Sequence, residues 1–139
     1  MATQTKSLGI VLVVLVAGVI AGCAAAGTVK KVTPADAALL PGTWQGNVYP
    51  PSGGGVTATM TVKPDGTYTI TAAAFSSTGK LEIKDGYVQF MSTSGTGSLA
   101  LGDRSGSAAL MDRSTSWGLV GTGYSSIGGP FNYDFSKPK

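Results

Sequence analysis

From Gly42 onward, apolar and polar positions alternate. Val56, Ala58, Met60 and Val62 are interleaved with Thr57, Thr59 and Thr61, and Lys63 ends the run. A period of two with threonine on one side predicts a half-buried strand. Pro64-Asp65-Gly66 interrupts it, and Tyr68, Ile70 and Ala72 then alternate with Thr67, Thr69 and Thr71. A three-residue turn sets Val62 opposite Tyr68 and Met60 opposite Ile70, so the apolar sides of both strands agree. A slip of one residue would turn a whole face outward.

A second hairpin follows at Asp85-Gly86, the strongest short turn signal. It pairs Lys84 with Tyr87, Ile83 with Val88 and Leu81 with Phe90. A third is expected around Asp103-Arg104-Ser105-Gly106, with Leu101 facing Ala108 and Leu99 facing Leu110. A connection at Ser114-Thr115 then brings Trp117 and Leu119 to the same face, together with Asp112 near a strand end. Gly121 to Pro130 is rich in glycine and serine and reads as a surface loop. Phe131, Tyr133 and Phe135 form a last strand with an aromatic inner side, closing against the strand of Trp44, Gly46 and Val48. Short strands at hairpin spacing, with no long helix between them, predict an all-β fold: a small antiparallel up-and-down barrel of about eight strands. Closure removes exposed edges.

The pattern differs upstream. Leu8 to Ile20 is a run of 13 apolar or small residues after a single Lys6, and it leads through Ala21-Gly22 to Cys23. That run is too short to span a bilayer, which takes about 20 residues. A positive start, an apolar core and small residues before a cut site define a secretory signal peptide. Two other readings are an uncleaved anchor helix extended through Ala26 and a secreted chain with a free thiol. Small residues ending on a cysteine resemble the lipobox of bacterial lipoproteins. The resemblance implies cleavage before Cys23, lipidation of its sulfur and acylation of the new amino terminus, which anchors the chain to a membrane. Ala24, where an aspartate would signal retention at the inner membrane, points by the same resemblance to the outer membrane of a bacterial envelope.

The chain thus divides into a signal peptide (1–22), a lipidated tether with a short helix (23–41) and a barrel domain (42–139). Ala24 to Lys31 reads as a mobile tether. Thr33-Pro34-Ala35-Asp36 starts a helix, with Thr33 as cap, Pro34 at the first position and Asp36 as a capping-box acid. Pro41-Gly42 ends it, and Leu39 and Leu40 are placed to plug the bottom of the barrel. On this reading the anchor and barrel are joined by about 20 residues, with an average reach of roughly 25 Å.

Composition narrows the chemistry. Residues 23–139 form one domain, without a second cysteine for a disulfide. The chain's +3 becomes +2 once Lys6 leaves with the signal peptide, and the one basic pair is Lys30-Lys31, beside the anchor. No basic stripe interleaved with aromatics calls for nucleic acid. There is no histidine, which removes the commonest general base and zinc ligand. Asp65, Asp85 and Asp103 are accounted for as turn residues. No phosphate loop, nucleophile elbow or metal-ligand spacing appears, so neither an enzyme nor a cofactor is expected.

Gly42-Thr43-Trp44, directly after a short helix, resembles the Gly-x-Trp opening of lipocalins and the wider calycin group. The resemblance implies that Trp44 packs across the closed end of a barrel. The domain is short for a lipocalin and lacks the long helix after the strands, so it looks more like the small lipocalin-like domains of bacterial lipoproteins. The inner face is expected to carry Trp44, Met60, Tyr68, Phe90, Trp117, Phe131, Tyr133 and Phe135 against the small Gly46, Ala58, Ala72, Ala74 and Ala108. Two outcomes stay open. Small residues along one wall leave a cavity for an apolar ligand, lined by Trp44, Met60, Tyr68, Phe90, Trp117 and Tyr133. Alternatively, large residues fill the space opposite small ones and leave a solid core. A connected cavity above about 300 Å³ supports the first and a solid core excludes it. In the second case the chain acts on another envelope protein, as an accessory subunit or inhibitor, through Tyr49-Pro50-Pro51-Ser52 and Tyr124 to Pro130.

Overall fold

A computed structural model describes residues 27–51, 53–96, 106–125 and 129–139. Cys23 and the signal segment lie outside them. Nine strands follow one another: β1 (Thr28–Lys30), β2 (Gly42–Tyr49), β3 (Val56–Val62), β4 (Thr67–Ala72), β5 (Ser76–Lys84), β6 (Tyr87–Thr96), β7 (Gly106–Asp112), β8 (Ser116–Ser125) and β9 (Gly129–Pro138). Each of β2 to β9 pairs antiparallel with the next, and β2 pairs with β9, closing an eight-stranded up-and-down barrel. The fold class matches the sequence expectation.

The register follows from where the apolar residues fall. Val62 pairs with Tyr68 and Met60 with Ile70. Ile83 pairs with Val88 and Leu81 with Phe90. Gly46 pairs with Phe135 and Val48 with Tyr133 at the closure. Each of these pairs falls where the alternation put it. Asp85 (φ 54°) and Gly86 (φ 85°) both take left-handed backbone, as a two-residue hairpin turn requires. The Thr67 amide donates to Asp65 Oδ1 at 2.9 Å, tying the three-residue turn to its own carboxylate. Outside, polar pairs bridge the strands: Thr57 to Asn47 at 3.2 Å, Thr59 to Gln45 at 3.0 Å and Ser76 with Thr96 at 2.8 Å.

Four expectations are corrected. The positions beside Ala108 and Leu110 belong to Val88 and Lys30 on one side and to Gly121 and Leu119 on the other. They are not available to Leu101 and Leu99, which lie outside the described residues. Gly121 to Ser125 and Gly129 to Pro130 are strand, so β8 and β9 form one long hairpin and only 126–128 separate them. Glycine marks close approach here rather than a turn. A Cβ on Gly121 would come within 2.1 Å of the Ser107 carbonyl oxygen, and one on Gly123 within 2.4 Å of the Phe131 ring. Ala74 is exposed, and Phe75 takes the inner place, 5 % exposed.

The fourth correction concerns the tether. Thr28 to Lys30 pair with Asp112 to Leu110 of β7. β6 reaches β7 only from Val88 to Phe90, so β1 covers the part of β7's edge that β6 leaves bare. The Val32 amide then donates to the Gly86 carbonyl at 3.0 Å, and the Val32 side chain is buried. The chain therefore joins the barrel at Thr28, well before Gly42.

Between β1 and β2, Pro34–Leu39 form a 3-10 helix. The Thr33 amide and hydroxyl both donate to Asp36 Oδ2, at 2.8 and 2.9 Å, and Lys30 Nζ lies 3.2 Å from Oδ1. Those hydrogen bonds, with the lysine, hold the Asp36 carboxyl below its ordinary value. Leu40 is buried and Leu39 packs against the core, so the helix plugs one end of the barrel as its sequence predicts.

Candidate functional site

The barrel interior has two storeys. In the lower one, next to the helix, Trp44 is wholly buried and its indole Nε1 donates to the Leu40 carbonyl at 2.9 Å. Lys137 Nζ lies 4.9 Å from the Trp44 ring centre and donates to the carbonyls of Leu39 and of Pro41, the latter at 2.7 Å. Three atoms at the helix end are thus satisfied by side chains from β2 and β9. Burial pulls the Lys137 ammonium below its usual pKa. Met60 is wholly buried in this interior as well.

The upper storey is aromatic. Tyr68, Phe90 and Tyr133 stack edge to face, with centroids 5.2 Å apart in both pairs. Phe131 and Phe135 flank Tyr133 at 6.1 and 5.9 Å. Between these rings a void of about 10 Å³ remains, lined by Val48, Ile70, Phe75, Phe90, Gly106, Phe131, Tyr133 and Phe135. That is the threshold for one water. Large buried residues on β4, β6 and β9 share the interior with the small Ala58 and Ala108. Around the described residues the interior void is thus far smaller than the cavity that the ligand-binding outcome calls for.

The six residues expected to share a cavity are thus separated. Phe90 and Tyr133 border the void. Trp44, Met60 and Tyr68 are buried but do not border it. Trp117 lies half-buried, packed against the edge of the core, with Lys139 Nζ 4.8 Å above its ring and 2.6 Å from Asp112 Oδ1. Phe75, Ser77 and Gly79 are interior as well, beyond the positions that the sequence alternation assigns above. Their signal is the period-two run that they form with Leu81 and Ile83, which extends β5 upward from Lys80.

Among the described residues two buried side-chain oxygens in this core lack a well-formed hydrogen bond: the Tyr68 hydroxyl, beside the Ser77 and Ser92 hydroxyls, and the Tyr133 hydroxyl. Each nestles against a glycine. A Cβ on Gly79 would lie 2.8 Å from the Tyr68 oxygen, and one on Gly106 would lie 3.4 Å from the Tyr133 oxygen. The Ser77 and Ser92 hydroxyls near Tyr68 are 3.4 Å from one another. Burial raises the pKa of both phenols, opposed for Tyr68 by these serines and reinforced for Tyr133 by Tyr68.

At the end away from the helix, Tyr49, Pro50 and Pro51 meet Pro130, Phe131 and Asn132 around a groove of about 330 Å³. The fold thus brings Tyr49, Pro50 and Pro51 of the first segment picked out as an interaction surface against Pro130 of the second. Ser52 and residues 126–128 lie outside the described residues, and Tyr124 is 46 % exposed nearby on β8. A second groove, of about 300 Å³, lies at the closed end between the helix and the β3–β4 turn, lined by Pro34, Ala37, Pro41, Pro64, Leu81 and Ile83 among others. Among the described residues no three His, Cys, Asp or Glu side chains converge as a metal site, and no helix is long and apolar enough to cross a membrane. Fold and site together define a small, filled, antiparallel β-barrel plugged at one end. No protein-family model, curated protein or solved structure matches the chain.

Proposed function

We propose that this chain is a noncatalytic lipoprotein of the bacterial envelope, held at the outer membrane by acyl groups on Cys23, and that its barrel acts through its outer surface on another envelope protein. The observation that carries this reading is the contrast in volume between inside and outside. The interior holds a void of about 10 Å³, and the groove between Tyr49 and Pro130 measures about 330 Å³. A groove lined by proline and aromatic side chains suits an extended, apolar segment of a partner. Site-directed photo-crosslinking in the envelope tests it. A probe at Tyr49 is expected to capture one partner repeatedly, and a probe at Glu82 on the barrel wall is expected not to. Equal capture at both sites overturns the groove as the working surface.

A second reading is favoured by the two buried phenols. Leaving a buried hydroxyl unsatisfied costs about 1–3 kcal/mol, and a small apolar molecule bearing a hydrogen-bond acceptor would relieve it at Tyr133 once Phe75 and Phe131 part. Native mass spectrometry of protein from its own host separates the readings. The filled-core reading expects the bare polypeptide mass plus lipid. A stoichiometric apolar guest selects the second.

A further inference from the structure

The place where the chain joins the barrel fixes which end of the molecule meets a membrane. β1 is bonded to β7 from Thr28, so only residues 24–27 separate Cys23 from the barrel in sequence. Four residues extend at most about 14 Å. Gly27 sits at the closed end, where a Cβ would touch Arg113 Cγ and the Asp112 carbonyl oxygen, both at 2.9 Å. The β7–β8 turn, the β5–β6 turn at Asp85-Gly86 and the β3–β4 turn at Asp65-Gly66 all project from this same end.

Charge divides the barrel along the same axis. Every charged side chain among the described residues lies at or below the level of Asp134, midway along β9. The described residues around the rim of the upper half, with the β2–β3 and β4–β5 connections, are Thr, Ser, Asn, Gly, Pro, Ala, Val56 and aromatic residues. Asp103 and Arg104 lie outside the described residues. The lower half holds eight bases and six acids, and Lys30, Arg113 and Lys139 are already paired with Asp36, Asp134 and Asp112. The remaining excess is basic, the sign that anionic headgroups attract. Val29, 64 % exposed, and Tyr87, 47 % exposed, supply apolar and amphipathic contact beside the anchor.

We infer that the barrel stands on its plugged end: a bilayer surface is the partner of the face formed by Val29, Lys31, Tyr87 and the turns at Asp65, Asp85 and Thr115. This rests on the anchored reading proposed above. The closed-end groove then faces headgroups, and the groove at Tyr49 and Pro130 is the one presented to the aqueous phase. β6 has 10 residues, and a tilted strand of that length rises about 25 Å, so the upper rim is held about that far from the membrane surface.

The test needs no native lipidation. The full chain, its single cysteine coupled to a maleimide-bearing phospholipid in nanodiscs of phosphatidylethanolamine and phosphatidylglycerol, is studied by NMR with gadolinium-chelate headgroups. Amides of Asp65, Gly66, Asp85, Gly86 and Thr115 are expected to broaden several-fold more than those of Gly53 to Gly55, Ala73 and Ala74. Uniform broadening, or broadening confined to the upper rim, overturns the orientation, as does protection of the closed end by a second copy. Mass analysis of Cys23 in native material reports on the anchor separately. An unmodified thiol there refutes the lipoprotein reading without altering the geometric result.

Discussion

Replacing Trp44 measures how much of the barrel's stability sits in its plug. The side chain is wholly buried, and its indole hydrogen bond reaches the Leu40 carbonyl at 2.9 Å. A buried tryptophan removes roughly 150–250 Å² from water, which at about 25 cal/mol per Å² is worth about 4–6 kcal/mol before alanine's own share is subtracted. Trp44→Ala should therefore cost about 3–5 kcal/mol, the range of large aromatic truncations. Trp44→Phe keeps most of the ring and loses the donor. It leaves the Leu40 carbonyl short of a partner and should cost about 2 kcal/mol. Urea unfolding followed by circular dichroism, with the slope unchanged, gives both numbers. Because a domain of this size is stable by about 5–15 kcal/mol, the alanine variant should still fold, and its midpoint should fall sharply. A loss below about 1 kcal/mol for Trp44→Ala would mean that the residue does not close the barrel. Equal losses for alanine and phenylalanine would assign the whole effect to the hydrogen bond.

The remaining predictions concern the anchor, the seam and the buried phenols. Cys23→Ala should move the protein from the membrane to the soluble fraction with its strand spectrum intact; retention in the membrane refutes the lipid anchor. Gly46→Ala should cost at least about 2 kcal/mol, because the new methyl would lie 1.9 Å from the Asp134 carbonyl oxygen across the closing seam, whereas Gly53→Ala meets nothing within 4 Å and should be neutral within about 0.5 kcal/mol. With folded pKa values raised above 10.0, Tyr68 and Tyr133 keep their protons after the unfolded chain has lost them. Stability should then fall above pH 10 by about 1.4 kcal/mol per pH unit per tyrosine. Lys137, whose folded value is lowered from 10.5, acts oppositely, so stability should rise slightly on approach to pH 10 before falling. Urea midpoints between pH 8 and 12 show this, and a Tyr68→Phe/Tyr133→Phe variant that falls as steeply refutes the assignment.

The parts legible in the sequence are those where alternation and turn chemistry agree. Val62 opposite Tyr68 and Ile83 opposite Val88 are each fixed twice, once by the apolar face and once by an Asp-Gly turn. The closure of β9 on β2 is legible because Phe131, Tyr133 and Phe135 keep strict alternation. Glycine defeats the reading in β8. In sequence Gly121 and Gly123 look like loop residues, but in the barrel they are the inner positions where strand backbones and the Phe131 ring come too close for any side chain. β1 is illegible for another reason. Three residues cannot show a period, and Thr28 to Lys30 become a strand only because β6 leaves half of β7's edge bare. Among the site residues, burial of Tyr68, Phe90 and Tyr133 follows from alternation, but the size of the void between them depends on ring packing that no spacing encodes.

The plug ties the two ends of the domain together, and this constrains what the molecule can do. Lys137 of β9 donates to the helix carbonyls, Trp44 of β2 reaches back to Leu40, and the Lys139 amide donates to the Thr115 carbonyl at 3.2 Å. The closed end is thus built from residues at least four apart in sequence and as many as 98 apart, from Leu39 to Lys137. Such an end forms only when the barrel closes. The upper rim carries strand pairs and hydroxyl ladders such as Ser76 with Thr96. One end is therefore charged and cross-tied by residues distant in sequence. The described residues of the other end carry no charge and are hydroxyl-rich and aromatic. A void of about 10 Å³ gives little capacity to the interior, so the proposed function is sought on the two ends of the barrel.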